Sequence, residues 1–171
     1  MPKTKSRLQW LFFFLVLLGL DLFLKHYVYH CLPKMNFLHP VYPYGGIGVF
    51  QDILGFSLSL VHVANQGAAW GFLANFPNFL WYLRLFIICF LAVYLLFRPL
   101  PKAKFLALAL ILVGAIGNLT DRLLYEAVID MFYFQFGAYS YPVFNLADSY
   151  ITIGITVFLL ASLKEEKKHA A

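Results

Sequence analysis

The sequence predicts an all-α membrane protein: a four-transmembrane-helix bundle with a small extracytoplasmic β-rich lobe between spans one and two. Three observations lead there. Of the 171 residues, 62% are hydrophobic and only 12% are charged, far from the composition of soluble globular domains. The apolar residues gather into four runs of about the length that crosses a hydrocarbon core, roughly 20 residues. The basic residues cluster beside those runs, so the formal charge of +5 reads as membrane orientation and excludes a nucleic-acid surface. A single domain over residues 1–171 accounts for the length.

The first span, about 8–28, follows Lys3, Lys5 and Arg7. It is longer than the apolar region of a secretory signal, contains Asp21 and Lys25, and precedes no small-x-small cleavage pattern, so it is expected to be retained with the N-terminus in the cytoplasm. Asp21 and Lys25 are four apart, on one helical face. They read as a self-neutralising pair whose lysine snorkels to the interface, or as a brace for polar machinery, and bracing is the expectation.

Residues 30–78 are placed outside the cytoplasm. Pro33, Pro40, Pro43, Gly45, Gly46 and Gly48 break any helix, and the stretch VFQDILGFSLSLVHV alternates as strands do. Aromatic residues and a single carboxylate, Asp52, suit a lobe resting on the membrane interface. The run Asn65 to Gly71 then offers small residues, Gly67 among them, where an extended peptide can approach closely; an ordinary loop with a turn explains it equally well.

Spans two and three, about 78–97 and 105–119, are joined by a link holding Arg98, Lys102 and Lys104, which belongs in the cytoplasm. Arg84 interrupts span two near its outer end, either snorkelling toward headgroups or pairing with a carboxylate. Residues 120–144 return outside, and span four, about 145–163, is followed by Lys164, Lys167 and Lys168, so both termini face the cytoplasm. Cys31 and Cys89 form no disulfide framework, and the expectation for Cys31 is a small apolar filler at a helix end.

This topology gathers carboxylates at one membrane face. Only eight residues are acidic, and Asp121, Asp130 and Asp148 all lie at the outer ends of spans three and four or between them. Such costly groups beside hydrocarbon mark a functional site by default. Asn118, Asp121 and Arg122 share one helical face, and Asn145 and Asp148 repeat a three-residue spacing that helix capping alone would also explain. Asp130, between Val128-Ile129 and Met131-Phe132, sits in an apolar setting that disfavours ionisation. Two aspartates of unlike environment suggest a dyad sharing a proton, able to hydrolyse peptides, while paired structural carboxylates and a proton relay remain open from spacing alone.

The segments LGLDLFLK, NQGAAWG, GAIGNLTDR with VID, and FNLADS resemble, in order and spacing and over nearly the whole chain, the bacterial lipoprotein signal peptidases, the signal peptidase II family. The resemblance implies an aspartic peptidase of the cytoplasmic membrane that cleaves prolipoproteins just before a diacylglyceryl-modified cysteine. It implies Asp130 and Asp148 as the catalytic pair, with the active site near the outer face. Asn65, Gly67, Asn118, Arg122 and Asn145 would hold the substrate or organise the dyad, Asp121 would brace span three, and Asp21 and Lys25 match the polar pair of the first helix. Departures are Met131 where the family motif V-V-D-F has Phe, which is expected to affect packing beside Asp130, Val113 where glycine is common, and Trp70 for a usual Phe.

Neither metal nor cofactor is implied, the histidines at 26, 30, 39, 62 and 169 being scattered. The partners implied are a diacylated prolipoprotein and membrane phospholipids, with no nucleic acid, and the chain is expected to be a monomer. The alternative function is a small transporter or proton-relay subunit, which would spread its acids through the membrane's depth.

Overall fold

A computed structural model of the chain describes residues 4–36, 38, 42–66 and 77–170. In chain order these form helix α1 (Thr4–Cys31), strands β1 (Ile47–Ile53) and β2 (Phe56–Asn65), helices α2 (Pro77–Phe97) and α3 (Lys102–Tyr125), strands β3 (Val128–Phe136) and β4 (Tyr139–Ser140), and helix α4 (Leu146–Ala170). Two compact units divide them: residues 1–20, 78–119 and 146–171 form one, residues 21–77 and 120–145 the other.

The first unit is helical. Phe14 of α1, Ala109, Leu110 and Val113 of α3 and Tyr150 of α4 form its core. The Tyr150 hydroxyl donates to the Leu17 carbonyl at 3.2 Å, which satisfies the polar tip of an otherwise apolar ring. Helices α3 and α4 lie in close contact at two glycines. A Cβ on Gly114 would lie 2.4 Å from the Ala147 carbonyl oxygen, and one on Gly154 would lie 2.6 Å from that of Ala107. In lipid no hydrophobic force drives helices together, so small residues that allow close packing take its place. Large apolar side chains such as Phe12, Phe86 and Leu96 point outward.

Three helical stretches, Gln9–Cys31, Lys102–Tyr125 and Leu146–Glu166, are long and apolar enough to cross a membrane, and α2 adds a shorter apolar stretch, Trp81–Phe97. Helix α3 continues past the end expected for span three at 119, so Asp121 and Arg122 are helical. It stops where Glu126 adopts a left-handed φ of 59°, a turn that starts β3 two residues later.

The second unit is built on a four-stranded antiparallel sheet in the order β1-β2-β3-β4. The β1–β2 hairpin closes at Leu54 and Gly55, both with left-handed φ (55° and 81°), whose twist suits a two-residue turn. The sheet corrects the expected fold class, which is helices plus an antiparallel sheet and not all-α. It also corrects the expectation that the β-structure is confined between spans one and two, since β3 and β4 come from the segment before α4. The start of β3 is buried on both faces, so VIDMFYFQF, apolar apart from Asp130 and Gln135, lacks the alternation that betrays a half-exposed strand.

Val28, Ile129 and Met131 form this unit's core, with Leu24, Leu60 and Tyr125 packed around it. Cys31 and Cys89 are free thiols as expected, but both are exposed, and Cys31 fills no interior space.

Candidate active site

Strand geometry positions Asp130. Successive side chains of β3 alternate, so Ile129 and Met131 enter the Val28 cluster while Asp130 faces the other way. Its partner across the ladder is Val63, and Asn65, opposite Val128, is its diagonal neighbour on the same face. That registration depends on a bulge: between the pairs Leu60–Phe132 and Val63–Asp130, β2 contains one residue more than β3. Without it, the one-residue slip would turn Asn65 to the opposite face. The bulge is anchored from the segment after α1, because the Met35 N–H donates to the His62 carbonyl at 2.8 Å and His62 Nδ1 lies 3.0 Å from the Leu32 carbonyl.

Asn65 Nδ2 donates to Asp130 Oδ2 at 3.2 Å. From the other side, Phe144 bridges to β3 through Phe132, whose N–H donates to the Phe144 carbonyl at 2.8 Å, and this sets the next residue against the aspartate. Asn145 Nδ2 donates to Asp130 Oδ1 at 2.8 Å and to the Ile129 carbonyl at 3.3 Å. Each oxygen of the buried Asp130 carboxyl therefore accepts a neutral amide N–H. Ile129 and Met131, its immediate neighbours in the strand, point away from the buried Asp130 carboxyl, and the partners that such an apolar setting calls for are amides from other segments. Met131 likewise packs on the opposite face from Asp130, not beside its carboxyl.

A second polar group lies beneath this strand. Lys25 Nζ sits between Asp21 Oδ2 at 2.8 Å and Asp121 Oδ2 at 2.9 Å, with all three side chains buried. The snorkelling alternative for Lys25 is thereby removed. Asp121 Oδ2 also accepts the Ile129 N–H at 3.1 Å, so the ion cluster ends on the backbone just before Asp130. Arg122, next to Asp121, donates through Nη2 to the Gln66 carbonyl, just beyond Asn65.

In the helical unit, Asp148 occupies the first turn of α4. Asn118 Nδ2 donates to its Oδ1 at 2.8 Å. Gly114, one helical turn before Asn118, makes this possible by letting α3 meet α4 at Ala147, adjacent to Asp148. Arg84 of α2 is half-buried, and Asp148 is near enough for the two opposite charges to attract.

The predicted residues thus fall into three groups: Asp130 with Asn65 and Asn145; Asp148 with Asn118; and Asp21 with Lys25 and Asp121, to which Arg122 adds its hold on Gln66. Gly67 and the rest of the small-residue run, including Trp70, lie outside the described residues. Arg84 was not among the residues singled out as a site, although its charge inside an apolar run was the available clue. The bulge and the Phe144 bridge carry no local sequence signature.

A family model described as signal peptidase (SPase) II matches residues 13–164. The chain belongs to the signal peptidase II family. A lipoprotein signal peptidase of Azoarcus sp. (strain BH72) is 37% identical to it over 97% of this chain and 89% of that one. Two solved structures, each of a bacterial membrane enzyme determined in meso, at 2.3 Å and 1.9 Å resolution, superpose with TM-scores of 0.76 and 0.72. They are 24% and 26% identical, covering 92% and 90% of this chain and 89% and 92% of theirs. The enzyme is therefore an aspartic peptidase of the signal peptidase II type and a multi-pass membrane protein. The transporter alternative falls.

Proposed function

We propose that Asp130 and Asp148 act together as the catalytic dyad of this peptidase, which removes the signal peptide of prolipoproteins by cleaving before the diacylglyceryl-modified cysteine. One carboxylate takes a proton from water as it attacks the scissile carbonyl. The other, protonated, polarises that carbonyl and then delivers its proton to the leaving amine. The observation that carries this reading is that both carboxyls are held by neutral amides, Asp130 by Asn65 and Asn145 and Asp148 by Asn118. An amide fixes a carboxyl's orientation without neutralising its charge, so the group stays able to exchange a proton. Chain connectivity supports the pairing, because Asn145 holds Asp130 and precedes Asp148 by three residues.

Asn65, Asn118 and Asn145 orient the dyad in this reading. Gly67 and its neighbours admit the extended substrate, Asp21, Lys25 and Asp121 brace β3, and Arg122 steadies the end of β2. The four helices serve as four spans of the inner membrane, both termini in the cytoplasm and the dyad near the outer face. The protein works as a monomer among phospholipids, so that the substrate's acyl chains stay in the bilayer while its scissile bond reaches the aspartates. The test is release of signal peptide from a purified diacylated prolipoprotein by wild type and by Asp130→Asn and Asp148→Asn. Cleavage by either variant at the wild-type rate would end the dyad assignment.

A further inference from the structure

The helical unit contains a cavity of about 490 Å³ between α1, α2 and α3, within the range of small-ligand sites. Its wall is almost wholly apolar. Trp10 and Phe14 stack with ring centres 6.0 Å apart, Phe105 meets Trp10 edge-on at 6.5 Å, and Ala92 and Ala109 leave the space that larger residues would fill. Along α3 the apolar part of the lining, beyond Lys102, runs from Phe105 to Ile116. Eleven helical steps make that about 16 Å. Half of a hydrocarbon core roughly 30 Å thick is almost the same length, so the groove has the depth of one leaflet.

Two cations line the same cavity at the link between α2 and α3. Arg98 and Lys102 are exposed, and among the described residues neither belongs to an ion pair. Their neighbour Lys104 differs: it bonds Glu165 at 2.5 Å and lies 5.8 Å from the Phe158 ring centre. A groove one leaflet deep, apolar along its length and cationic at its end, has the complementarity of a single lipid molecule.

We propose that this groove is a binding site for an anionic phospholipid of the leaflet on the basic side, with one acyl chain between α1 and α3 and the phosphate at Arg98 and Lys102. Basic pockets between helix ends select anionic headgroups by charge. The apolar core of a substrate signal peptide fits less well, since its flanking region is itself positively charged and would meet like charge at the groove's end. The lipid would bind independently of the dyad, so this proposal stands or falls apart from the catalytic one.

The experiment is native mass spectrometry of the full-length protein in detergent, loaded with dioleoylphosphatidylglycerol or dioleoylphosphatidylcholine. Wild type is expected to retain the anionic lipid over the zwitterionic one by about fivefold or more for each cation engaged. In Arg98→Gln/Lys102→Gln that preference disappears, and because both positions are exposed the fold survives. In Ala92→Phe, which fills the groove, retention of phosphatidylglycerol is lost while the unfolding temperature holds. Equal retention of the two lipids by wild type, or a preference that persists in the double variant, overturns the proposal. So does an Ala92→Phe protein that keeps its lipid but shows a raised KM for prolipoprotein, which would assign the groove to the signal peptide.

Discussion

Asp130 and Asp121 lie on adjoining elements of the same unit, both buried, yet they are held by opposite means. Asp121 shares a buried ammonium with Asp21 and takes one backbone N–H, so its charge is matched inside the fold. Asp130 accepts a neutral amide N–H on each of its oxygens. A buried carboxylate tied to an ammonium cannot give up its charge without stranding the partner, which suits a brace. One tied to amides is oriented but stays chemically available, which suits proton transfer. Spacing alone presents these aspartates as equals in one polar segment; the resemblance to signal peptidase II separates them, and in the structure their partners differ.

The largest effects should come from the amide-held pair. Asp130→Asn and Asp148→Asn should each lower kcat by about 10²–10⁴-fold with little change in unfolding temperature, read by signal-peptide release beside a thermal melt. Next, Lys25→Met should act on stability first, costing about 3–5 kcal/mol because it strands two buried carboxylates. Replacing Asp21, Lys25 and Asp121 together by apolar residues should restore much of that stability in a detergent unfolding curve. If Lys25→Met instead leaves stability unchanged while abolishing turnover, the division between brace and dyad is mistaken.

Smaller losses should follow removal of single amides. Asn65→Ala or Asn118→Ala gives up one hydrogen bond to a carboxylate, about 1.5–3 kcal/mol, and should lower kcat/KM by roughly 10- to 100-fold with a drop in melting temperature smaller than that of Lys25→Met. Smallest should be the packing change Gly114→Ala, whose added methyl meets the Ala147 carbonyl and should cost about 1–3 kcal/mol of stability. Gly19→Ala, with nothing within 4 Å of the new methyl, is its control and should be neutral or stabilising by up to about 1 kcal/mol. Equal melting temperatures for the two glycine variants would argue against close α3–α4 packing as the support for Asn118.

The sequence by itself determined the apolar helices, because runs of hydrocarbon side chains declare their preference residue by residue. It also determined the identity of the polar residues, which are rare enough in such a chain to be noticed one at a time, and the strand character of residues 49–63, whose alternation is local. What it left undecided depends on contacts distant in sequence. The β-character of VIDMFYFQF needs β2 as partner, since a strand buried on both faces shows no alternation of its own. The face on which Asn65 lies depends on a bulge that only the β2–β3 register defines. Lys25 could have snorkelled or stayed inside, and the arrival of Asp121 from another helix keeps it buried. The surroundings of Asp130 could not be read from Ile129 and Met131, because a strand turns its sequence neighbours to the opposite face and leaves the carboxyl to be met by Asn65 and Asn145, brought from far along the chain.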